Sequence, residues 1–359
     1  MPPHPHRPPE LAWQVFRGSD VVRRGLLTRH QLRGASWVRL RQDVYADARL
    51  DRDHTLACRA ALLRLPPEAV IAGPSAAYLH GVEHAAGFKD AVHVVLPAAV
   101  RADSQPGVRV HHAPSAPERN GLLVAAATCS AGTSPDWDAS VTGSASTSPG
   151  RNGLAVGLTN AVAVTATAVA VRVGGEPSLP RRPGRLLRTA PPACAWETAV
   201  WSDLVRAVGI VDALLRMGLV SRAELADVAA RHAGRPGGRR ARWVFGLADP
   251  GAQSPPESHL RVRLVLAGLP RPVAWHPVRG PEGLVLHPDL AWPAFRVAVE
   301  YDGQWHSDLD QLHRDRRRLD QLVGAGWLVL YVTGRRVHRE FPALVREIRA
   351  ALVTRGWRP

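Results

Sequence analysis

Residues 288–306, PDLAWPAFRVAVEYDGQWH, decide how the C-terminal part of this chain folds. The middle of this stretch reads as a strand, and successive side chains of a strand point to opposite faces. Glu300 and Asp302 would then share one face, with Tyr301 on the other. Two carboxylates at the end of an apolar strand repel each other, so they are stable only when solvated or bridged by a cation. The pattern predicts a strand that ends in a cation site.

Two further side chains should reach the same edge of the sheet. Asp289 ends the neighbouring strand, LVLHPD, and His306 follows the turn at Gly303. Adjacent strands would thus bring three carboxylates and an imidazole together. The oxygen ligands suit Mg²⁺, which in turn suits phosphodiester hydrolysis, because the ion clamps the phosphate and lowers the pKa of a bound water. The sequence predicts a magnesium-dependent hydrolytic site.

The surrounding residues, 254–359, predict an α/β domain with a mixed sheet flanked by helices. Its first helix begins at Ser254 and runs through Ala267, with proline in the first turn, where it is favoured. The remaining elements are strands near 273–278, in LVLHPDLAW and in FRVAVEYDG, a charged helix over 309–324, a buried strand GWLVLYVT and a closing helix over 341–352.

Six short motifs follow one another in this domain. They are Glu257-Ser-x-Leu-Arg261, Pro288-Asp-Leu-Ala-Trp-Pro293, Val297-Ala-Val-Glu-Tyr-Asp-Gly303, Trp305-His306, Asp315-x-x-Arg318 and Gly326-Trp327. Together, over about 105 residues, they resemble the PD-(D/E)XK nuclease superfamily, and within it the domain-of-unknown-function family related to very-short-patch-repair endonucleases. The resemblance implies a restriction-endonuclease-like domain with the order α-β-β-β-α-β-α and DNA as its substrate.

The same resemblance implies a role for each matching residue. Asp289 would be the principal metal ligand, and Glu300 would occupy the second acidic position. The main-chain carbonyl near Tyr301 would be a further ligand, and His306 would assist proton transfer. Glu257, on the preceding helix, would support the site.

One position departs from the superfamily pattern. Its lysine position holds Asp302 here, and the only lysine in the chain is Lys89. Arginine is a poor substitute, because its pKa keeps it from exchanging protons. Two alternatives follow. Either His306 transfers the proton, with Asp302 helping to position water, or the domain has lost hydrolysis and kept DNA binding.

Several of these residues also have a purely structural explanation. Glu257 completes a capping box with Ser254. Asp315 and Arg318 have the spacing of an ion pair on the surface of a helix. Core positions, rather than contacts with bases, are expected for three tryptophans, Trp292, Trp305 and Trp327.

Residues 1–52 predict a small winged helix-turn-helix. Apolar residues at helical spacing indicate a helix over 11–24. A capping box from Thr28 to Gln31 would begin a second short helix that ends near Gly34. The sequence WVRLRQDVYAD then alternates as a basic two-stranded ribbon does.

Four N-terminal motifs resemble the winged-helix domain of antitoxins of the abortive-infection (AbiEi) type. They are Gly25-Leu-Leu-Thr28, Gln31-Leu-Arg33, Leu40-Arg-x-x-Val44-Tyr45 and Ser75-Ala-Ala-x-Leu-His-Gly81. The resemblance implies DNA binding, and the alternative is a charged face exposed to solvent. The side chains expected to face phosphates are Arg29, Arg33, Arg39 and Arg41.

The middle of the chain divides into three segments. Residues 53–122 read as a second small α/β unit. Residues 123–185 have few large apolar residues, which predicts a low-complexity, disordered insertion or linker. Residues 186–250 predict a helical segment with a helix over 196–217, another that begins with a capping box at Ser221, and a basic, flexible joint at GRPGGRRAR.

The composition favours a polyanionic partner. The chain has 46 basic and 31 acidic residues and a formal net charge of +15. Such an excess favours nucleic acid through counterion release, and a charge that serves only solubility is the alternative. The three cysteines, Cys58, Cys129 and Cys194, are odd in number and far apart, which predicts neither a disulfide framework nor a zinc site.

The sequence patterns predict neither export nor membrane insertion. The N-terminus lacks the apolar region of a signal peptide. The uncharged stretch 154–171 consists mostly of Ala, Val, Thr and Gly and does not predict a membrane span. We therefore expect a cytoplasmic protein that does not enter the membrane.

Two functions from different classes fit these patterns. The first is a DNA-binding protein with a Mg²⁺-dependent endonuclease-like domain. The second is a non-catalytic DNA-binding regulator of antitoxin type, whose nuclease fold serves only for contact, and the acid at the lysine position favours it. The unusual stretch at 123–185 leaves open a third explanation, a chain damaged in its middle.

Overall fold

The computed structural model describes residues 7–113, 124–128, 185–281, 283–302 and 309–359, with the backbone alone for 124–128, 185 and 309–315. Over these residues the chain is a mixed α/β protein with four β-sheets of two to five strands. In this described part, each helix is too short or too polar to cross a membrane. The uncharged stretch at 154–171 lies outside the described residues.

The N-terminal unit is built on a three-stranded antiparallel sheet. Its strands are β1 (Val15–Arg17), β2 (Trp37–Arg41) and β3 (Val44–Asp47), in the order β1-β3-β2. Helix α1 (Gly18–Arg23) and a 3-10 helix (Gln31–Arg33) add to its small core. The predicted ribbon is confirmed as the β2–β3 hairpin.

The predicted helix over 11–24 is wrong in its first half. A 3-10 turn ends at Leu11, and Trp13 has a left-handed φ of 59° that no helix accepts. Val15–Arg17 pair with β3 instead. Phe16 on the strand and Val21 on the helix enter the same core, so pairing with a distant strand outweighs the local periodicity.

The second predicted helix is reduced to a single turn. Thr28 and Gln31 exchange the two hydrogen bonds of a capping box, at 2.7 and 3.2 Å, as predicted. The turn that follows is the 3-10 helix Gln31–Arg33. A recognition helix of ordinary length is therefore replaced by a turn and a ribbon.

The middle of the chain folds around a five-stranded sheet in the order β6-β5-β4-β8-β7. One hydrophobic cluster contains buried side chains from both 57–108 and 186–248, so these two segments share a core. The elements are α2 (His54–Leu62), β4 (Val70–Ile71), α3 (Gly73–Leu79), β5 (Val92–Pro97), β6 (Val108–Ala113), β7 (Val124–Thr128), β8 (Arg185–Thr189), α4 (Pro191–Trp201), α5 (Leu204–Arg216), α6 (Arg222–Arg231) and α7 (Gly238–Leu247).

Two predictions for this region need correction. Residues 124–128, predicted as part of an unstructured linker, form β7 and pair antiparallel with β8. The rest of that predicted insertion, 129–184, lies outside the described residues. The long helix predicted over 196–217 is two helices, because the Asp203 carboxylate accepts a hydrogen bond from the Arg206 amide and so begins α5.

The basic stretch GRPGGRRAR is also more ordered than predicted. Helix α7 begins inside it, after Gly237, whose φ is 89°. The Arg240 guanidinium donates a hydrogen bond of 3.0 Å to the Ala199 carbonyl and holds α7 against α4. The helix predicted from the Ser221 capping box is confirmed as α6.

The C-terminal part contains a four-stranded mixed sheet in the order β14-β13-β12-β9. Strands β13 and β14 are parallel, and the other pairs are antiparallel. The elements are α8 (Pro255–Leu266), β9 (Val273–Ala274), β10 (Val278–Arg279), β11 (Val285–Leu286), β12 (Leu290–Trp292), β13 (Val297–Asp302), α9 (Leu309–Gly324), β14 (Leu328–Thr333), α10 (Gly334–Arg339) and α11 (Phe341–Thr354).

Two predicted strands of this domain are interrupted, and the one expected near 273–278 is split into β9 and β10, which belong to different sheets. The first half of LVLHPDLAW is β11, which pairs with β10 in a separate hairpin, and the second half is β12 of the main sheet. Pro288 lies between them, and proline has no amide hydrogen to donate to a sheet. The break moves Asp289 from the end of one strand to the start of another.

A buried ion pair joins helix α8 to α5. Arg261 Nη2 lies 2.6 Å from Asp212 Oδ2, and the two side chains are 0% and 1% exposed. The other Asp212 oxygen accepts a hydrogen bond from the Asp249 amide at 2.7 Å. The first helix of the C-terminal domain is thus fixed to the middle of the chain.

Candidate active site

Asp289 and Glu300 lie on neighbouring strands and on the same face of the sheet. Leu290 at the start of β12 pairs with Val299 of β13, so the next positions, Asp289 and Glu300, stand opposite each other. Ala291 and Ala298, two residues from each acid, both enter the cluster under α9. Strand alternation therefore directs both carboxylates toward the α9 side.

The environment of Asp289 disfavours its charge. Burial, together with the negative charges of Glu300 and Glu257, raises the pKa of this carboxyl to about 7. A hydrogen bond from the Tyr301 amide to Asp289 Oδ2, 2.7 Å long, and the positive charge of Arg318 oppose the rise. Near neutral pH, a cation at this carboxylate would relieve the repulsion that these neighbours cause.

Arg318, on α9, holds the second acid. Its Nε lies 3.2 Å from Glu300 Oε1, and its Nη2 also donates to the carbonyl of His287. The sequence predicted a helix-surface pair between Arg318 and Asp315, whose side chain lies outside the described residues. The partner that the structure gives Arg318 is on β13, because α9 packs across that face of the sheet.

Glu257 has the structural role that its capping position suggested. It is 8% exposed, and its two carboxylate oxygens accept hydrogen bonds from the Gln253 amide, at 2.8 Å, and from the Ser254 hydroxyl, at 2.7 Å. These bonds fix the start of α8. Its charge still raises the pKa of Asp289, so the carboxylate is close enough to influence the site electrostatically.

Asp302 and His306 differ in what the structure describes. Asp302 ends β13 opposite Thr333 of β14, and alternation places it on the face of Glu300. His306 and Trp305 lie outside the described residues. Trp292 and Trp327 are buried, as predicted, at 2% and 9% exposure.

Sequence reasoning missed Trp275, which stands beside Asp289. Its amide donates to the Asp289 carbonyl at 3.3 Å, and its ring stacks on the His287 ring. Both residues lie in irregular segments of the chain. Trp275 follows β9, and His287 lies between β11 and β12. No periodic pattern in the sequence predicts such positions. The only available signal was the presence of aromatic residues shortly before the Pro288-Asp289 motif.

The donor set fits a hard divalent cation such as Mg²⁺. Asp289 and Glu300 supply two carboxylates, and the Tyr301 amide points at Asp289, which turns the Tyr301 carbonyl to the same side. In the part of the chain that the structure describes, no three His, Cys, Asp or Glu side chains gather closely enough to hold an ion. Mg²⁺ tolerates this, because it usually keeps several waters and binds through one or two carboxylates.

The four N-terminal arginines are not equivalent. Arg29, Arg33 and Arg39 are exposed. Arg41 is half-buried and donates to the carbonyls of Pro106, at 2.8 Å, and Gly107, at 2.9 Å. Burial lowers its pKa. Arg41 therefore fastens the N-terminal sheet to the turn before β6, which leaves the other three as the exposed members of the predicted DNA face.

Comparison with known proteins finds relatives but no family. No protein-family model matches the chain. The uncharacterized proteins MT2308 and Rv2248 of Mycobacterium tuberculosis are each 36% identical to it over 170 residues. The matched region is 47% of this chain and 62% of each relative. The chain thus spans less than two thirds of the curated relatives, and their names assign no activity.

Proposed function

We propose that the chain is a DNA-binding protein whose C-terminal, restriction-endonuclease-like domain hydrolyses DNA phosphodiesters with Mg²⁺. The observation that carries the proposal is the placement of Asp289 and Glu300 opposite each other on one sheet face. Two carboxylates in that arrangement, one of them with its pKa raised to about 7, match the oxygen ligands that Mg²⁺ prefers.

Each residue at the site then has a chemical task. Asp289 and Glu300 would hold the ion, with the Tyr301 carbonyl as a third oxygen. A bound Mg²⁺ would supply charge for the phosphate and a water of lowered pKa. Asp302, on the face of Glu300, would position the attacking water, and His306 is proposed from the family resemblance as the group that exchanges its proton.

Arg318 supports this arrangement from α9. Its guanidinium orients the Glu300 carboxylate, and its side chain is 35% exposed, so part of it faces the solvent from which a phosphate would approach. The planar guanidinium group of arginine can donate two parallel hydrogen bonds to phosphate oxygens. We assign it to positioning Glu300 and to attracting the substrate, and not to proton transfer.

The N-terminal unit would supply sequence-independent contacts. Exposed Arg29, Arg33 and Arg39 lie on the turn and ribbon of the three-stranded sheet. Contacts of this kind fix the position of a protein on DNA and weaken steeply with salt. The net charge of +15 fits the same role.

A plasmid-nicking assay with Mg²⁺ tests the proposal. We expect the wild type to nick, and Asp289→Ala to fall to the level of buffer, because the principal ligand is lost. Asp320→Ala, which removes an exposed acid from α9, is the matched control and should keep full activity. Equal cleavage by Asp289→Ala and wild type, or cleavage by neither, counts against hydrolysis.

One observation favours the second candidate, a non-catalytic DNA-binding regulator. Arg318 already neutralises Glu300, and Asp302 stands where the superfamily has lysine. In that case the wild type would bind DNA in a salt-dependent way without cutting it. Asp289→Ala would bind with the same affinity, and the nicking assay would show no product at any Mg²⁺ concentration.

A further inference from the structure

Trp275 is an exposed aromatic side chain beside the acidic pair. It follows β9 and stands across from Asp289, to whose carbonyl its amide donates. The tryptophan residue is 41% exposed. Its ring stacks on the His287 imidazole, with ring centroids 5.0 Å apart and planes 14° from parallel. One face of the indole is therefore stacked against the histidine ring.

The backbone of Trp275 has an unfavourable conformation. Trp275 has a φ of 56°, in the left-handed region that bulky residues rarely adopt. Such outliers persist where the surrounding structure imposes them, and they cluster at functional sites. Three apolar residues near Trp275 or His287 in the sequence, Val273, Leu284 and Val285, are also 42%, 57% and 45% exposed.

Hydrogen bonds connect His287, on which Trp275 stacks, to the acidic pair. Arg318 donates to the His287 carbonyl and pairs with Glu300. On the other side of Glu300, the residue opposite it on β14 is Tyr331, which is 44% exposed. Across the four strands, the two carboxylates therefore lie between two exposed aromatic residues.

We propose that Trp275 is a stacking platform for a base of an unpaired DNA strand whose phosphates pass the Asp289–Glu300 pair. The inference rests on the proposed function and names its substrate class. Bases inside a duplex are stacked on one another, so only unpaired or flipped bases can stack on an indole. The positive charge of the chain, +15, complements the phosphates of such a strand.

Oligonucleotide binding in EDTA tests the platform without any need for cleavage. Fluorescence anisotropy would compare a short single-stranded DNA with a blunt duplex, for wild type, Trp275→Ala, Trp275→Phe and Trp243→Ala. Trp243 is a matched control, since it is 51% exposed on α7. We expect Trp275→Ala to weaken single-strand binding at least about fivefold and duplex binding by less than about twofold.

The other variants make the result specific. Trp275→Phe keeps a ring and should stay within about twofold of wild type, and so should Trp243→Ala. Equal losses on duplex and single strand, unchanged binding by Trp275→Ala, or no single-strand binding by the wild type would overturn the platform. Unchanged binding is the result expected if Trp275 contacts a protein partner instead. Hydrolysis is measured separately, in the nicking assay with Mg²⁺, so failure of hydrolysis and failure of the platform are distinguished.

Discussion

Two arginine–carboxylate pairs in this chain have the same chemistry and opposite surroundings. Arg261 and Asp212, between α8 and α5, are 0% and 1% exposed and 2.6 Å apart. Arg318 on α9 and Glu300 near the end of β13 are 35% and 12% exposed and 3.2 Å apart. The first pair cannot exchange its partner for a solvent ion or a ligand, and the second can. Access to solvent therefore separates a structural pair from one that can take part in chemistry.

The buried pair depends on both of its members. Burial raises the pKa of Asp212, and Arg261 opposes that rise. An ionised group in the interior loses its hydration, and only a close partner and further hydrogen bonds offset that loss. Removing one partner leaves the other with a charge that neither water nor a counter-ion stabilises. In an exposed ion pair, water can replace the lost partner at little cost in free energy.

The largest effect should come from breaking the buried pair. We expect Arg261→Leu to lower the free energy of unfolding by about 3–5 kcal/mol, because Asp212 is left buried without its cation. Urea unfolding would measure the loss. Arg346→Leu, at an exposed position of α11, is the control and should change stability by less than about 0.5 kcal/mol. A loss under about 1 kcal/mol for Arg261→Leu would show that water reaches the pair.

Glu197, a buried carboxyl held by neutral donors, should give the next largest effect. Its Oε2 accepts hydrogen bonds from the Gly73 amide and the Thr189 hydroxyl, both 2.8 Å long. Burial raises its pKa to about 7, against an ordinary 4.5, and these bonds only partly oppose the rise. The folded chain thus binds the proton more tightly than the unfolded chain. The resulting stability is complete below pH 4.5 and is lost as the pH rises through about 7.

Glu197→Gln should remove this pH dependence. The amide oxygen keeps both hydrogen bonds and carries no charge, so we expect the variant to be more stable than the wild type at pH 8 by roughly 1–3 kcal/mol. Thermal unfolding at pH 5 and pH 8 would measure the difference. Parallel pH profiles for the two proteins would mean that Glu197 titrates normally.

The smallest change in stability should follow from breaking the exposed pair. Arg318→Gln should lower the free energy of unfolding by less than about 1 kcal/mol. If the site binds Mg²⁺, the variant should bind it several-fold more tightly, because a competing positive charge near Glu300 is gone. Calorimetric titration of Mg²⁺ would test this, with Arg317→Gln on the exposed side of α9 as the control. Weaker binding would show that the orienting effect of Arg318 on Glu300 outweighs its competition with the ion.

Local patterns in the sequence were enough to predict the scaffold of the candidate site. The alternation in 297–302 fixed the face of Glu300, and the motif at Asp289 placed the second carboxylate beside it. The strand was predicted to begin too early, because Pro293–Phe295 form a 3-10 helix and Arg296 has a left-handed φ of 49°. Capping boxes at Thr28 and Ser221 also form as expected. Ser254 caps α8, but the capping box predicted there is incomplete, because Glu257 accepts from the Gln253 amide and not from the Ser254 amide. These features depend on residues within a few positions of one another, which is why a sequence can reveal them.

Features that depend on distant contacts were missed. The partner of Arg318 follows from how α9 crosses the sheet, and Val15–Arg17 become a strand only because β3 lies beside them. The start of α5 did have a local signal, since Ser202-Asp203 resembles a helix cap, but continuous apolar spacing concealed it. Trp275 lies in an irregular segment, so no periodic pattern in the sequence could predict its position.

The pairing of β7 with β8 has a consequence for how such chains can vary. Val124 pairs with Thr189 and Thr128 with Arg185, so the chain leaves the sheet and re-enters it at neighbouring points. Closing a loop between two fixed, adjacent ends costs little more as the loop lengthens. Homologues are thus free to gain or lose tens of residues between these strands without disturbing the sheet, and an affinity tag or a reporter domain could be placed there for the same reason.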